Sequence, residues 1–92
     1  MKLIGRKLVT DFMQKYADAR DPLAAWVAEV ADAHWKGPAD IKARYASASF
    51  LANNGVIFNI KGNKYRLKVH VTYEAELVNV KNIGTHAEYD RW

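Results

Sequence analysis

Ninety-two residues suffice for one domain, because a chain this short buries only about 60–70% of its unfolded surface and cannot sustain two cores. Half the residues are hydrophobic, with three Trp, five Tyr and three Phe, which excludes disorder along the whole length; the absence of Cys excludes thiolate nucleophiles, zinc fingers, iron–sulfur sites and a disulfide framework. Fourteen Lys and Arg against ten Asp and Glu leave a formal charge of +4, which points toward polyanionic partners without naming one.

The segment from Met1 to Thr10 carries Lys2, Arg6 and Lys7 among its apolar residues and holds no run suited to a secretory signal. No stretch approaches the roughly 20 apolar residues of a membrane span. The expected compartment is therefore the cytoplasm, with no membrane partner. No repeat, low-complexity tract or linker interrupts the chain, so residues 1–92 are read as a single domain.

In chain order, a short Leu3-Ile4 strand leads into a helical period that sets Leu8, Val9, Phe12, Met13 and Tyr16 on one face. Asp21 before Pro22 reads as an N-cap followed by proline at the first helical position. Leu23, Trp26, Val27, Val30 and Ala31 then recur at helical spacing, giving a second helix to about Trp35 with Gly37 as its left-handed cap. His34, near that end, is read as structural, and Trp26 and Trp35 as core or partner-facing residues. Pro38 and the stretch from Asp40 to Tyr45 suggest one more short helical turn.

From Ser49 the period becomes two, and Gly62-Asn63 reads as a two-residue hairpin turn. That turn sets Lys61 opposite Lys64, Ile60 opposite Tyr65, Asn59 opposite Arg66, Phe58 opposite Leu67, Ile57 opposite Lys68 and Val56 opposite Val69. A second reversal around Glu74-Ala75 pairs Val71 with Val78, Val69 with Val80, His70 with Asn79 and Lys68 with Lys81. The fold class that follows is α+β: an N-terminal strand and two helices packed on one face of an antiparallel sheet.

The opposite face then collects Lys61, Lys64, Arg66, Lys68, His70 and Lys81, with Asn59 and Asn79 among them. Like charges facing each other cost a few tenths to about 1 kcal/mol per pair unless an anion lies between them. A lone lysine there would be explained by solubility and edge protection. The cluster, with no acid between Asn59 and Thr72, favours anion binding, and a phosphate backbone fits.

After Gly84, the residues Thr85-His86-Ala87-Glu88 form a capping box that opens a short C-terminal helix at His86. A histidine there suits proton transfer beside a bound phosphate; taken on these residues alone, a surface histidine in a capping turn is the preferred explanation, because capping boxes are common and catalytic histidines are not. Trp92 is read as a loosely held terminal residue.

The string Phe58-Asn59-Ile60-Lys61-Gly62-Asn63-Lys64-Tyr65-Arg66-Leu67, the upstream segment from Ala33 to Lys42 and the terminal Gly84-Thr85-His86-Ala87-Glu88-Tyr89-Asp90 together resemble HigB-type toxins over nearly the whole chain. The resemblance implies a RelE-like fold and an mRNA endoribonuclease (mRNA interferase) acting on translating ribosomes. It also implies a co-expressed helix-turn-helix antitoxin, HigA-like, that inhibits the toxin and through which alone operator DNA is bound. In the wider superfamily a central-strand arginine, basic residues just before it and a residue after the last strand contact the scissile phosphate. By motif, Arg66 takes the arginine position, Lys61 and Lys64 the basic turn, and His86 the terminal position.

The implied reaction is attack by a ribose 2′-hydroxyl on the adjacent phosphate, leaving a 2′,3′-cyclic phosphate and a 5′-hydroxyl. It needs a base, an acid and cations, but no metal. The catalytic candidates are Arg66 as phosphate clamp, His86 as proton-transfer group, Lys61 as electrostatic support and Tyr89 as acid or stacking residue. Lys64, Lys68, His70, Lys81 and Asn59 are candidate RNA contacts. Asp and Glu fall on helices, in the Glu74–Glu76 turn and near the C-terminus, forming no compact cluster suited to Mg²⁺, so neither metal nor cofactor is expected. Two other functions remain compatible with the same sheet: RNA or ribosome binding without cleavage, and gyrase poisoning as in the ParE branch.

Overall fold

A computed structural model describes residues 1–89; Asp90 and Trp92, singled out above, lie outside the described residues. The strands are β1 (Lys2–Ile4), β2 (Ser49–Leu51), β3 (Gly55–Ile60), β4 (Tyr65–Thr72) and β5 (Leu77–Thr85). The helices are α1 (Arg6–Lys15), α2 (Arg20–Asp32), α3 (Pro38–Arg44) and the four-residue α4 (His86–Tyr89). One sheet of order β1-β5-β4-β3-β2 contains all five strands. The sheet is antiparallel except at one edge, where β1 joins β5 in parallel. A parallel neighbour needs a long crossover, and here that crossover is the rest of the protein.

Helices cover one face, as expected from the alternation. Val9 and Phe12 of α1, Leu23, Trp26 and Val30 of α2, and Ile41 of α3 pack with Val56, Phe58, Ile60, Tyr65, Leu67, Val69, Val71, Val78 and Val80. Phe58 lies at the centre, with Trp26 and Tyr45 edge-on at 5.4 and 5.0 Å and Trp35 stacked at 6.3 Å. Both tryptophans are thus core residues. Leu8, counted on the buried face of α1, is instead 44% exposed. No described helix is long and apolar enough to cross a membrane.

The helical boundaries differ from those read in the sequence. A 3-10 turn at Ala17–Ala19 runs straight into α2, so Arg20 is its first residue and Ala19, not Asp21, its N-cap. Pro22 falls at the third helical position, which is tolerated because N–H groups of the first turn have no intrahelical acceptor. Helix α2 ends at Asp32 and Ala33 is extended; leaving the helix there delivers Trp35 onto Phe58. Gly37 is consequently not a left-handed cap. It is extended and serves as N-cap of α3, with Pro38 at the first helical position and Asp40 accepting from the Lys36 N–H at 2.8 Å.

The β3–β4 register matches the expected pairing from Ile60↔Tyr65 to Val56↔Val69. Lys61 and Lys64 close a four-residue turn, the Lys64 N–H donating to the Lys61 carbonyl at 3.2 Å, and positive φ falls at Lys61 and Gly62. The β4–β5 register also holds from Val71↔Val78 through Val69↔Val80. Beyond that a bulge intervenes, and Lys68 pairs with Asn82 instead of Lys81. Lys81 is the extra residue, relieving the like-charge pair that an unbroken ladder would create.

Gly5 joins β1 to α1 at φ 86°, and a Cβ built there would stand 3.0 Å from the Val80 carbonyl oxygen and 3.2 Å from its Cβ. A side chain meets both the left-handed backbone penalty and the β5 backbone. Gly5→Ala is expected to lower unfolding free energy by about 1–3 kcal/mol in chemical denaturation; an unchanged midpoint would show that β1 can withdraw from β5 without loss.

Candidate functional site

Strand alternation places Arg66, Lys68 and His70 of β4 on the face that the helices leave open, each half-buried. Two residues of β4 advance about 6.6–6.8 Å, so the three form a row along one strand. Beside Arg66 in the ladder lies Gly84, which adds no side chain, and on the other flank Asn59. The Asn59 amide donates to the Ser47 carbonyl at 3.0 Å, so part of its hydrogen-bonding capacity ties β3 to the segment before β2.

Arg66 is held at its post. One guanidinium nitrogen donates to the Asn63 carbonyl at 2.8 Å, and the group lies over the Tyr89 ring at 5.5 Å. Tyr89 in turn stacks with His86, their centroids 6.4 Å apart and planes 24° from parallel. The capping box forms as expected: the Thr85 N–H donates to Glu88 Oε1 at 2.9 Å and the Glu88 N–H to Thr85 Oγ1 at 3.2 Å. The His86 N–H also donates to the Lys64 carbonyl at 3.2 Å, fixing the start of α4 against the β3–β4 turn. Three of the four catalytic candidates, Arg66, Tyr89 and His86, are therefore consecutive members of one chain of contacts.

The turn lysines behave differently. Lys64 Nζ donates to Asp18 at 2.5 Å, and the Tyr65 hydroxyl donates to the other carboxylate oxygen at 2.5 Å. Those bonds, with the nearby charges of Lys64 and Lys61, hold the Asp18 carboxyl below its ordinary range, while the same carboxylate raises Lys64 and Tyr65. The anion beside the turn is thus supplied by the protein itself, in the 3-10 turn before α2. An open groove of about 600 Å³ lies there, lined by Lys15, Tyr16, Lys64, Tyr65 and His86 among others. Its aromatic wall is the Phe12, Tyr16 and Tyr65 cluster, with centroids 4.6 to 5.3 Å apart.

Along the row from Arg66, Lys68 and His70 join Lys81 and Asn82 around a second concavity of about 360 Å³, closed on its far side by Leu51, Ala52, Asn53 and Gly55. The basic candidates therefore separate into a Lys68, His70 and Lys81 cluster and an Arg66, Tyr89 and His86 chain, with Lys64 bonded to Asp18 and Lys61 exposed in the turn, contributing only its nearby charge. Sequence reasoning missed Asp18, 46 residues before its partner, because no local pattern reports that contact. It also missed Asn53 and Asn82. A signal for the bulge does exist: apolar core positions run 78, 80 and then 83, a phase break in the alternation. Among the described residues, no three His, Cys, Asp or Glu side chains gather into a metal-binding group.

The chain has relatives among known proteins. A family model described as HigB_toxin, RelE-like toxic component of a toxin-antitoxin system, matches residues 19–92. The chain belongs to the HigB toxin family. The mRNA interferase toxin HigB of Escherichia coli strain K12 is 29% identical over 92 residues, spanning 98% of this chain and 88% of that protein. Proteins named mRNA interferase HigB from Escherichia coli O157:H7 and Shigella flexneri match at the same identity and coverage. The fold is accordingly the RelE-like α+β arrangement expected, and membership of a toxin–antitoxin family gives this HigB-family chain a cognate antitoxin as partner.

The Asp18 network carries a pH signature. A carboxyl whose folded pKa lies below its ordinary value of 3.8 contributes stability that is present above that value and is lost as pH falls through the lower folded value. Asp18→Asn is therefore expected to be less stable than the wild type at pH 7, with the gap closing below about pH 4. Thermal unfolding of both proteins between pH 2 and pH 7 measures this; a gap independent of pH would mean that Asp18 acts through packing alone.

Proposed function

We propose that this HigB-family chain is an endoribonuclease that cleaves mRNA during translation, using its own side chains and no metal ion. The observation that carries the proposal is the run of contacts from Arg66 through Tyr89 to His86, at the end of a row of basic residues on the open sheet face. A phosphodiester beside Arg66 would have a planar, always-charged fork on its non-bridging oxygens. It would also lie near an exposed imidazole able to exchange a proton. The mRNA interferase activity named for the relatives from Escherichia coli and Shigella flexneri supports the same substrate.

The reaction that uses these groups is transesterification within the RNA. His86 takes the proton of the 2′-hydroxyl as its oxygen attacks the adjacent phosphorus, Arg66 neutralises charge building on the phosphorane, and the 5′ oxygen leaves. The products are a 2′,3′-cyclic phosphate and a 5′-hydroxyl, with the leaving oxygen protonated by Tyr89 or by water. Arg66 is already fixed by the Asn63 carbonyl and the Tyr89 ring, so little ordering remains to be done when RNA binds. Lys68, His70 and Lys81 hold the flanking backbone, and Lys61 and Lys64 add a milder field because Asp18 offsets part of their charge. A ribosome that presents the codon supplies the remaining alignment. A HigA-like antitoxin that covers this face would inhibit the enzyme and bring it to operator DNA, all within the cytoplasm.

Inducing the wild-type chain in bacteria and mapping mRNA 5′ ends with their terminal chemistry tests the proposal. New 5′-hydroxyl ends within translated codons are expected, reduced by about 10²–10³-fold in Arg66→Ala, whose melting temperature should stay near that of the wild type because Arg66 is outside the core. Growth arrest without new ends would instead assign toxicity to occupancy of the ribosome or to gyrase poisoning, separable by a supercoiling assay. His86→Gln retains hydrogen bonding but cannot titrate. Its cleavage rate should fall; wild-type rates there would leave His86 as a capping-turn residue.

A further inference from the structure

We propose that the concavity between the Ala52–Asn54 turn and the β4–β5 bulge is a subsite for one nucleobase of the cleaved RNA, with Asn53 and Asn82 reading its edge. The inference rests on the ribonuclease reading above and deepens it, from where the chain cuts to which nucleotide it selects. At about 360 Å³ the concavity falls at the small end of ligand-sized pockets, about 300–1,000 Å³, and suits a single nucleoside.

Two departures from regular backbone build this pocket, one on each side. Asn53 and Asn54 are consecutive left-handed residues, φ 60° and 63°, a conformation that is strained for side chains other than glycine and that asparagine tolerates best. Across from them the bulge inserts Lys81 into β5 and re-aims Lys81 and Asn82 beside Lys68. At the base Gly55 is closed off by Leu51, whose Cβ lies 3.2 Å from where a Gly55 Cβ would stand. Neither irregularity is needed to fill the core, which lies on the other face.

The lining chemistry matches a base with its attached phosphate. Lys68, His70 and Lys81 are donors for phosphate or ribose oxygens, no acid is among the described lining residues, and Leu51 and Ala52 offer apolar surface to the flat of a ring. Asparagine amides present a donor and an acceptor side by side, the combination that distinguishes one base edge from another. Unstacked bases held in side-chain pockets are the usual route to sequence selection in single-stranded RNA. Placement adds the last step: Lys68 follows Arg66 by two residues on the same face, so a base in the pocket belongs to a nucleotide next to the one whose phosphate Arg66 would hold.

Asn82→Ala and Asn53→Gly remove the two amides, the second keeping the left-handed backbone. Neither residue belongs to the proposed catalytic set, so both variants should still cut RNA and unfold near the wild-type temperature. Sequencing the cleavage sites of wild type and variants in the same mRNA pool gives the nucleotide preference at each position beside the cut. The expected result is a wild-type preference at one adjacent position that falls roughly tenfold in at least one variant. Cleavage by the variants with unchanged preference overturns the subsite, as does a wild type that cuts without preference at either neighbour. Unchanged preference together with weakened antitoxin binding would also overturn it and assign the pocket to the protein partner. A wild type that cuts no RNA removes the ribonuclease reading and the subsite with it, a result distinct from the others.

Discussion

Strand β4 carries Tyr65, Leu67, Val69 and Val71 on one side and Arg66, Lys68 and His70 on the other, and its hairpin with β3 fixes which side is which. A slip of one residue would exchange the two sets, burying three basic side chains and exposing the centre of the core. The apolar requirement of the helices therefore sets the position of every basic residue in the row. Stability and site geometry are two consequences of one register, and the turn at Lys61–Lys64 starts it.

Charge is then distributed unevenly along that row. At the turn, Asp18 reaches over from the segment between α1 and α2 to satisfy Lys64 and the Tyr65 hydroxyl, so the turn is anchored to the helical layer by a carboxylate. Further along, Lys68, His70 and Lys81 have no such carboxylate among the described pocket-lining residues around them. A polyanion approaching this face meets a compensated end and an uncompensated middle. Arg66 lies at the boundary, its direction set by a backbone carbonyl and an aromatic ring, neither of which cancels its charge. Among the described residues no acid pairs with Arg66; such a pairing would have fixed the arginine but weakened its attraction for phosphate.

Much of this was legible in the sequence because it is local or periodic. Alternation from Val56 to Val80 fixed the faces and most of the pairing, and the Thr85–Glu88 spacing gave the capping box. What escaped was set by distant contacts. The early end of α2 follows from the need to seat Trp35 on Phe58, 23 residues later, and with that end displaced Gly37 was free to serve α3 instead. Asp18 resembles any solvent-facing acid until the sheet brings Lys64 to it. The pairing of Lys68 with Lys81 failed for a reason that was visible, since the core positions 80 and 83 lie three positions apart, one more than the two of an unbroken alternation. Parallel addition of β1 had no sequence signal, because a three-residue edge strand carries little pattern of its own.

Lys81 itself has an unusual standing in this fold. Val69 pairs with Val80 and Lys68 with Asn82, so β5 spends three residues where β4 spends two. Remove Lys81 and the ladder would close with each flanking partner kept and each neighbouring side chain on its present face. The residue is thus an insertion that the architecture does not require. Without it the strand would lose the local bend of the bulge and present a flatter, less positive surface. What Lys81 adds lies on the open face instead: a positive charge and a bend, presented to whatever molecule comes to lie upon the sheet.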